Sequence, residues 1–149
     1  MRMAFLRVGR TLVAVHNALA PSDEEWNRYL ELCRGSMPDA LAAPFNMSGL
    51  VFTDGGGPTT PQRAALLDVM RDARIRSSVI TTSALVRGIV TALSWFSPSS
   101  IRAFAPRDWR NAQKHLALDD DDWRACVAAA DNLARDFGSI AVLKAMTED

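Results

Sequence analysis

Between Gly49 and Arg63 the chain reads Gly-Leu-Val-Phe-Thr-Asp-Gly-Gly-Gly-Pro-Thr-Thr-Pro-Gln-Arg. An apolar run ends at Thr53-Asp54, three glycines break it, and Thr59-Thr60-Pro61 opens a helix. Strand, tight loop and helix N-terminus in that order place polar groups at the carboxyl edge of an α/β sheet. The strand Leu50 to Thr53 lacks polar alternation, as an interior parallel strand covered on both faces does. Thr60 is expected to cap the helix, with Pro61 at its first position, where the missing N–H costs nothing. Leu66, Leu67, Met70 and Ala73 form that helix's apolar face.

The flanking segments supply the remaining elements. Met3–Val8 and Thr11–His16 are two β-rich runs separated by Gly9-Arg10, a hairpin with glycine at the turn. Ser22-Asp23-Glu24-Glu25 has the spacing of a capping box, and Trp26, Tyr29, Leu30 and Cys33 follow on one helical stripe. Gly35 is expected to stop this helix, leaving Met37 to Asn46, with its two prolines, as a loop. Ser78 to Thr81 is a third interior strand, followed by a helix from Ala84 to Phe96 with Pro98 at its end. Ile101 to Ala105 is strand-like, and Pro106 opens a helix carrying Trp109, Ala112 and Leu116. The last long helix starts within Asp119 to Asp122 and carries Trp123, Cys126, Val127, Ala130, Leu133 and Phe137. Ile140 to Met146 either continues it or adds a strand. The order is β-β-α-β-α-β-α-β-α-α.

A chain of 149 residues, 48% of them hydrophobic, suffices for one globular unit with a sizeable core. Seventeen basic and seventeen acidic side chains cancel, so no bulk field draws the protein to nucleic acid or an anionic membrane. No run approaches the roughly 20 apolar residues of a membrane span. The first twenty residues mimic a signal peptide loosely, but basic residues, His16 and Asn17 interrupt the apolar stretch, so a cytoplasmic protein is expected. Cys33 and Cys126, among apolar neighbours in helices, read as small core residues.

Catalytic chemistry finds little support. His16 and His115 sit in different elements without a metal-like spacing, and neither lies in a nucleophile motif. No metal or cofactor is expected. Asp119 to Asp122 lacks the alternation, glycine and terminal glutamate of a calcium loop and reads as a solvated helix start. The loop Gly55, Gly56 and Gly57 lacks both nucleotide-binding fingerprints; it is a turn needing left-handed glycines, or a partner- or anion-binding loop. Asp54 is the carboxylate best placed for function, beside a helix start where Thr59 and Thr60 are capping residues or phospho-acceptors. On the helix Ala84 to Phe96, Leu85, Ile89, Ala92 and Phe96 form one stripe, and Val86, Val90 and Leu93 a second, with Trp95 on the opposite flank. So wide an apolar arc needs more than one cover. The final helix is the favoured cover of Val86, Val90 and Leu93; the alternative is an interface, with Trp95, for another chain or a second copy.

A hairpin followed by β-α repeats resembles the topology of STAS domains. The segment Val79-Ile80-Thr81-Thr82-Ser83-Ala84-Leu85-Val86-Arg87-Gly88-Ile89-Val90-Thr91-Ala92-Leu93-Ser94-Trp95-Phe96 and the closing Ile101-Arg102-Ala103-Phe104 are similar to STAS/SEC14-type, anti-sigma-factor-antagonist-like bacterial proteins. The resemblance spans residues 1–118 and implies a STAS-like mixed sheet of four or five strands, with 119–149 as a C-terminal helical extension of a single domain. It also implies a non-enzymatic regulatory or adaptor module that acts on a protein partner. In that family the loop after the central strand carries Asp-Ser-Ser/Thr-Gly, whose hydroxyl a kinase phosphorylates. Here Asp54 matches the aspartate, but Gly55 and Gly56 replace the hydroxyl positions, and the nearest hydroxyls are Thr59 and Thr60. The alternative is a small-ligand domain, for a nucleotide or lipid, using the Gly55–Thr60 loop or an apolar pocket beneath the Ala84–Phe96 helix.

Overall fold

A computed structural model describes residues 1–94, 99–137 and 140–147. Five strands form one sheet in the order of the sequence: β1 (Met3–Val8), β2 (Thr11–His16), β3 (Ser48–Thr53), β4 (Arg76–Thr81) and β5 (Ser100–Phe104). β1 is antiparallel to β2 across a tight turn in which Gly9 takes φ +57°, and β2 to β5 are parallel. The interior positions expected for Leu50–Thr53 and Ser78–Thr81 are therefore observed, each strand beginning two residues earlier.

Helix α1 (Asp23–Ala42) starts at the expected capping box: Ser22 Oγ accepts from Glu25 N at 3.1 Å and Glu25 Oε1 from Ser22 N at 3.0 Å. It does not stop at Gly35. It continues through Pro38 to Ala42, because Met37 and Ala40 extend its apolar stripe onto Leu12 and Met47, and that burial outweighs the hydrogen bond proline forfeits. Helix α2 (Thr60–Val69) is capped by Thr59, one residue before the expected Thr60, and Pro61 sits at the second helical position. Helix α3 (Ala84–Ser94) follows β4; Trp95, Phe96 and Pro98 lie outside the described residues. After β5, a 3-10 turn (Pro106–Asp108) leads into α4 (Trp109–Leu116), then α5 (Asp120–Arg135), capped by Asp119, and α6 (Ala141–Thr147), so the undecided segment is a helix of its own from Ala141 onward.

Successive inward residues of β2 point to opposite faces, and the two faces are covered differently. Val13, Val15, Leu50, Phe52 and Ile80 pack with Ala112, Leu116, Trp123, Cys126, Ala130 and Val142 of α4, α5 and α6. Helices α5 and α6 thus complete the main core rather than append to it. Leu12 and Ala14 face the other way, toward α1, α2 and α3, which connect the parallel strands. This arrangement overturns one expectation. Helix α5 lies against β1 and β2 on the far side of the sheet, so it cannot cover α3. Val86, Val90 and Leu93 turn inward over β4 and β5, whereas Leu85 and Ile89 of the first stripe are exposed, at 74% and 41%. The stripe for which the final helix was the favoured cover, and another chain the alternative, faces α2 and the sheet instead.

Candidate functional site

The glycine loop is held from three directions. Thr53 Oγ1, at the end of β3, accepts from Gly55 N at 3.0 Å and donates to Gly56 O. Gly55 takes φ +126°, the positive value expected of at least one loop glycine. Gly56 N donates to Asn17 O at 2.9 Å, and a Cβ on Gly56 would lie 2.2 Å from Leu19 O, so only glycine fits. Asp54 has a different task from the one its position implied. Its two carboxylate oxygens accept from Ala141 N and Val142 N, both at 2.9 Å, and so cap α6 from 87 and 88 residues away. Thr59 closes a capping box with Gln62, while Thr60 is exposed and its Oγ1 accepts from Arg63 at 3.0 Å. Gln62, 5% exposed, also donates to Pro21 O and Asp23, tying the loop to the start of α1.

Under this loop the covered face is hollow. A cleft of about 870 Å³ runs between α2 and α3, with α1 as its back wall. Its floor is the sheet, where Gly49 and Ser77 are register partners and Val51 and Val79 continue the same rows. Leu66 of α2 and Met70 at its C-terminal cap face Val86, Val90 and Leu93 of α3 across it, and Leu67 and Ile89 stand exposed at the rim. The glycine loop, through Gly55 and Gly57, and Arg63 close the end nearest the carboxyl edge. Volume, apolar walls and a few convergent polar groups are the usual attributes of a small-molecule site.

His16 is the polar group that periodicity alone did not single out for this role. It ends β2, is 3% exposed, lines the cleft, and its Nδ1 has no hydrogen-bond partner. Burial lowers its pKa from 6.5 to about 4, against the upward pull of the Glu25 carboxylate, so the ring is neutral at pH 7. Burial pushes the Glu25 carboxyl up, but bonds from the backbone N–H groups of Ser22, Arg2 and Met3 outweigh it and bring it to about 2. On the same wall, burial pushes the Cys33 thiol up to about 11 and the Tyr29 phenol well above its ordinary value. The sequence did carry a signal for His16: it is the polar residue that closes the apolar run Leu12–Val15, at the edge where α/β sheets bind ligands. Among the described residues no group of three or more histidine, cysteine, aspartate or glutamate side chains is placed to hold a metal ion, and no helix is long and apolar enough to cross a membrane.

No protein-family model matches the sequence, and no curated protein matches it. Among solved structures, the chain is similar to an uncharacterized protein of the DUF3478 family from Shewanella loihica PV-4, described as having a SpoIIAA-like fold. The match has 15% identity and a TM-score of 0.55, covering 77% of this chain and 94% of that one. At that identity the likeness speaks for architecture. The five-stranded mixed sheet, its N-terminal hairpin and its helical crossovers are those of a SpoIIAA-like, STAS-type α/β fold.

Proposed function

We propose that the protein binds a small, largely apolar molecule in the cleft between α2 and α3, and binds it without transforming it. The cleft itself carries this reading: an apolar space of about 870 Å³ over the middle of the sheet, walled by Val51, Val79, Leu66 and Val90, leaves unmade some of the contacts that a close-packed interior would have. A bound molecule supplies the missing contacts. Binding rather than catalysis is favoured because Cys33 and Tyr29, the potential nucleophiles on the α1 wall, are both held in their protonated forms by burial. Native mass spectrometry of freshly purified protein should show a retained mass that denaturation releases. Val51→Trp, which fills the floor of the cleft, should abolish that adduct while the protein stays folded. A clean apo mass, together with no displacement of a hydrophobic fluorophore by alkyl compounds, would sink the reading.

A second reading, a regulatory or adaptor module working through a protein partner or a second copy, is supported by Leu67, Leu85 and Ile89, which are 57%, 74% and 41% exposed on neighbouring helices. Asp54 serves α6 and Gly55 and Gly56 stand at the hydroxyl positions after it, so such a module would work without the usual phospho-acceptor serine of anti-sigma-factor antagonists. Light scattering over a concentration series, alone and with candidate partners, tests it; a strict monomer that captures none of them counts against it.

A further inference from the structure

The charged side chains on the walls of the cleft are Arg63, Asp68 and Arg71, and they do not cancel. Asp68 and Arg71 stand 3.8 Å apart on the exposed flank of α2 and offset each other. Arg63 has no such counterpart: it is half-buried at the loop end of the cleft, and among the described residues it forms no ion pair. Its guanidinium donates to Pro58 O at 2.9 Å and to Thr60 Oγ1 at 3.0 Å, which occupies two of the five N–H donors the group carries. The acidic residues around that end do not line the cleft and are engaged elsewhere. Asp23 accepts from Gln62 Nε2, Glu25 from the backbone N–H groups of Arg2, Met3 and Ser22, and Asp54 from α6. An apolar cleft thus carries one uncompensated positive charge at one end. We infer that the cleft takes an alkyl carboxylate, its head on the Arg63 guanidinium and its chain running between α2 and α3 toward Met70. The inference rests on the ligand-binding reading above and adds the chemistry of the head.

A planar carboxylate matches the guanidinium fork and takes up N–H donors that the protein leaves over. The half-burial of Arg63 suits such a pair: the attraction is stronger beside apolar walls than in open water, while the head keeps part of its hydration. A cationic head would meet a like charge, and a hydroxyl would leave that charge uncompensated. A phosphate monoester brings close to two negative charges against a single excess positive one, so part of its desolvation is not offset. Beyond the head the chain meets Leu66, one turn further along α2, then Val51 and Val79 on the floor and Val90 opposite. Helix α2 and its cap rise about 10 Å from Arg63 to Met70, the reach of an octyl chain.

The test is displacement of an uncharged hydrophobic fluorophore from the intact protein near neutral pH, where alkanoates are ionised, by octanoate, octan-1-ol, octyltrimethylammonium and octyl phosphate. Octanoate should bind tightest, about tenfold tighter than octan-1-ol, the worth of one charge-assisted contact, and the ammonium should bind weakest. In Arg63→Gln octanoate should fall to the level of octan-1-ol, while octan-1-ol binds as before. Arg71→Gln removes a charge already met by Asp68 and should leave the octanoate advantage in place. The ranking on the unmutated protein needs no variant and decides alone if Arg63→Gln does not fold. Octan-1-ol or the ammonium binding as tightly as octanoate, or an octanoate advantage that survives Arg63→Gln or disappears in Arg71→Gln, overturns the assignment and leaves the cleft as a ligand site. Octyl phosphate binding tightest replaces the carboxylate with a phosphate head and overturns the assignment in the same way. Displacement by none removes both the assignment and the ligand-binding reading.

Discussion

At the scale of single residues, His16 couples the site to stability. The folded ring resists protonation down to about pH 4, whereas the unfolded chain takes up its proton near 6.5. Its contribution is therefore complete above pH 6.5 and falls as the pH drops toward 4, by about 2 kcal/mol between pH 7.5 and 5. Glu25 acts at lower pH, its depressed pKa adding stability that is lost as pH falls from about 4.5 toward 2. Urea melts across this range should show the first loss in the wild type and much less of it in His16→Gln, with Glu25 intact in both. The glycine loop gives a second residue-scale contrast. Gly56→Ala pushes a methyl into the Leu19 carbonyl, while a Cβ on Gly57 meets nothing within 4 Å. Gly56→Ala should cost about 2–4 kcal/mol and Gly57→Ala under about 1, read from the same melts.

At the scale of elements, local signals and distant contacts divided the work of specifying the structure. The hairpin, the capping box of α1 and the interior strands were legible because their determinants lie within a few residues: Gly9 at the turn, Ser22 and Glu25 three apart, the apolar run Leu50–Phe52 in β3 and the β-branched Val79-Ile80-Thr81 in β4. The length of α1 was not, since Gly35 and Pro38 argue for a stop and only packing of Met37 and Ala40 onto Leu12 and Met47 overrules them. The destination of α5 was equally hidden: periodicity shows that a helix has an apolar face, never which side of a sheet receives it. In the site, the positive φ of Gly55 could be read, whereas the role of Asp54 depends on a helix 87 residues further on. The cleft left a faint trace, small residues at Gly49 and Ser77 facing each other in register. Asp54→Ala removes both acceptors at the start of α6 and should cost about 1–2 kcal/mol. Hydrogen exchange should then quicken first in Ala141–Thr147, with β2 and β3 still protected; uniform loss across the sheet would argue against so local a role.

At the scale of the whole molecule, the sheet has one densely packed face and one hollow one. The packed face depends on α4, α5 and α6, with Trp123, Cys126, Ala130 and Val142 filling the space over Val13, Val15, Leu50 and Phe52. A chain ending at residue 118 keeps every strand, yet strips that face of most of its cover. It should express as an aggregate or a molten species that binds hydrophobic dye, and a soluble, cooperatively melting 1–118 fragment would contradict this division of the core. The order of strands has a further consequence, on the ribosome. Because the strands lie side by side in the order they are synthesised, the sheet can assemble stepwise as the chain emerges. The helix that seals β1 and β2 is among the last segments made, so the earliest strands to pair wait longest with one side bare. Nascent-chain chaperones would find their substrate there, on the side of the sheet away from the cleft.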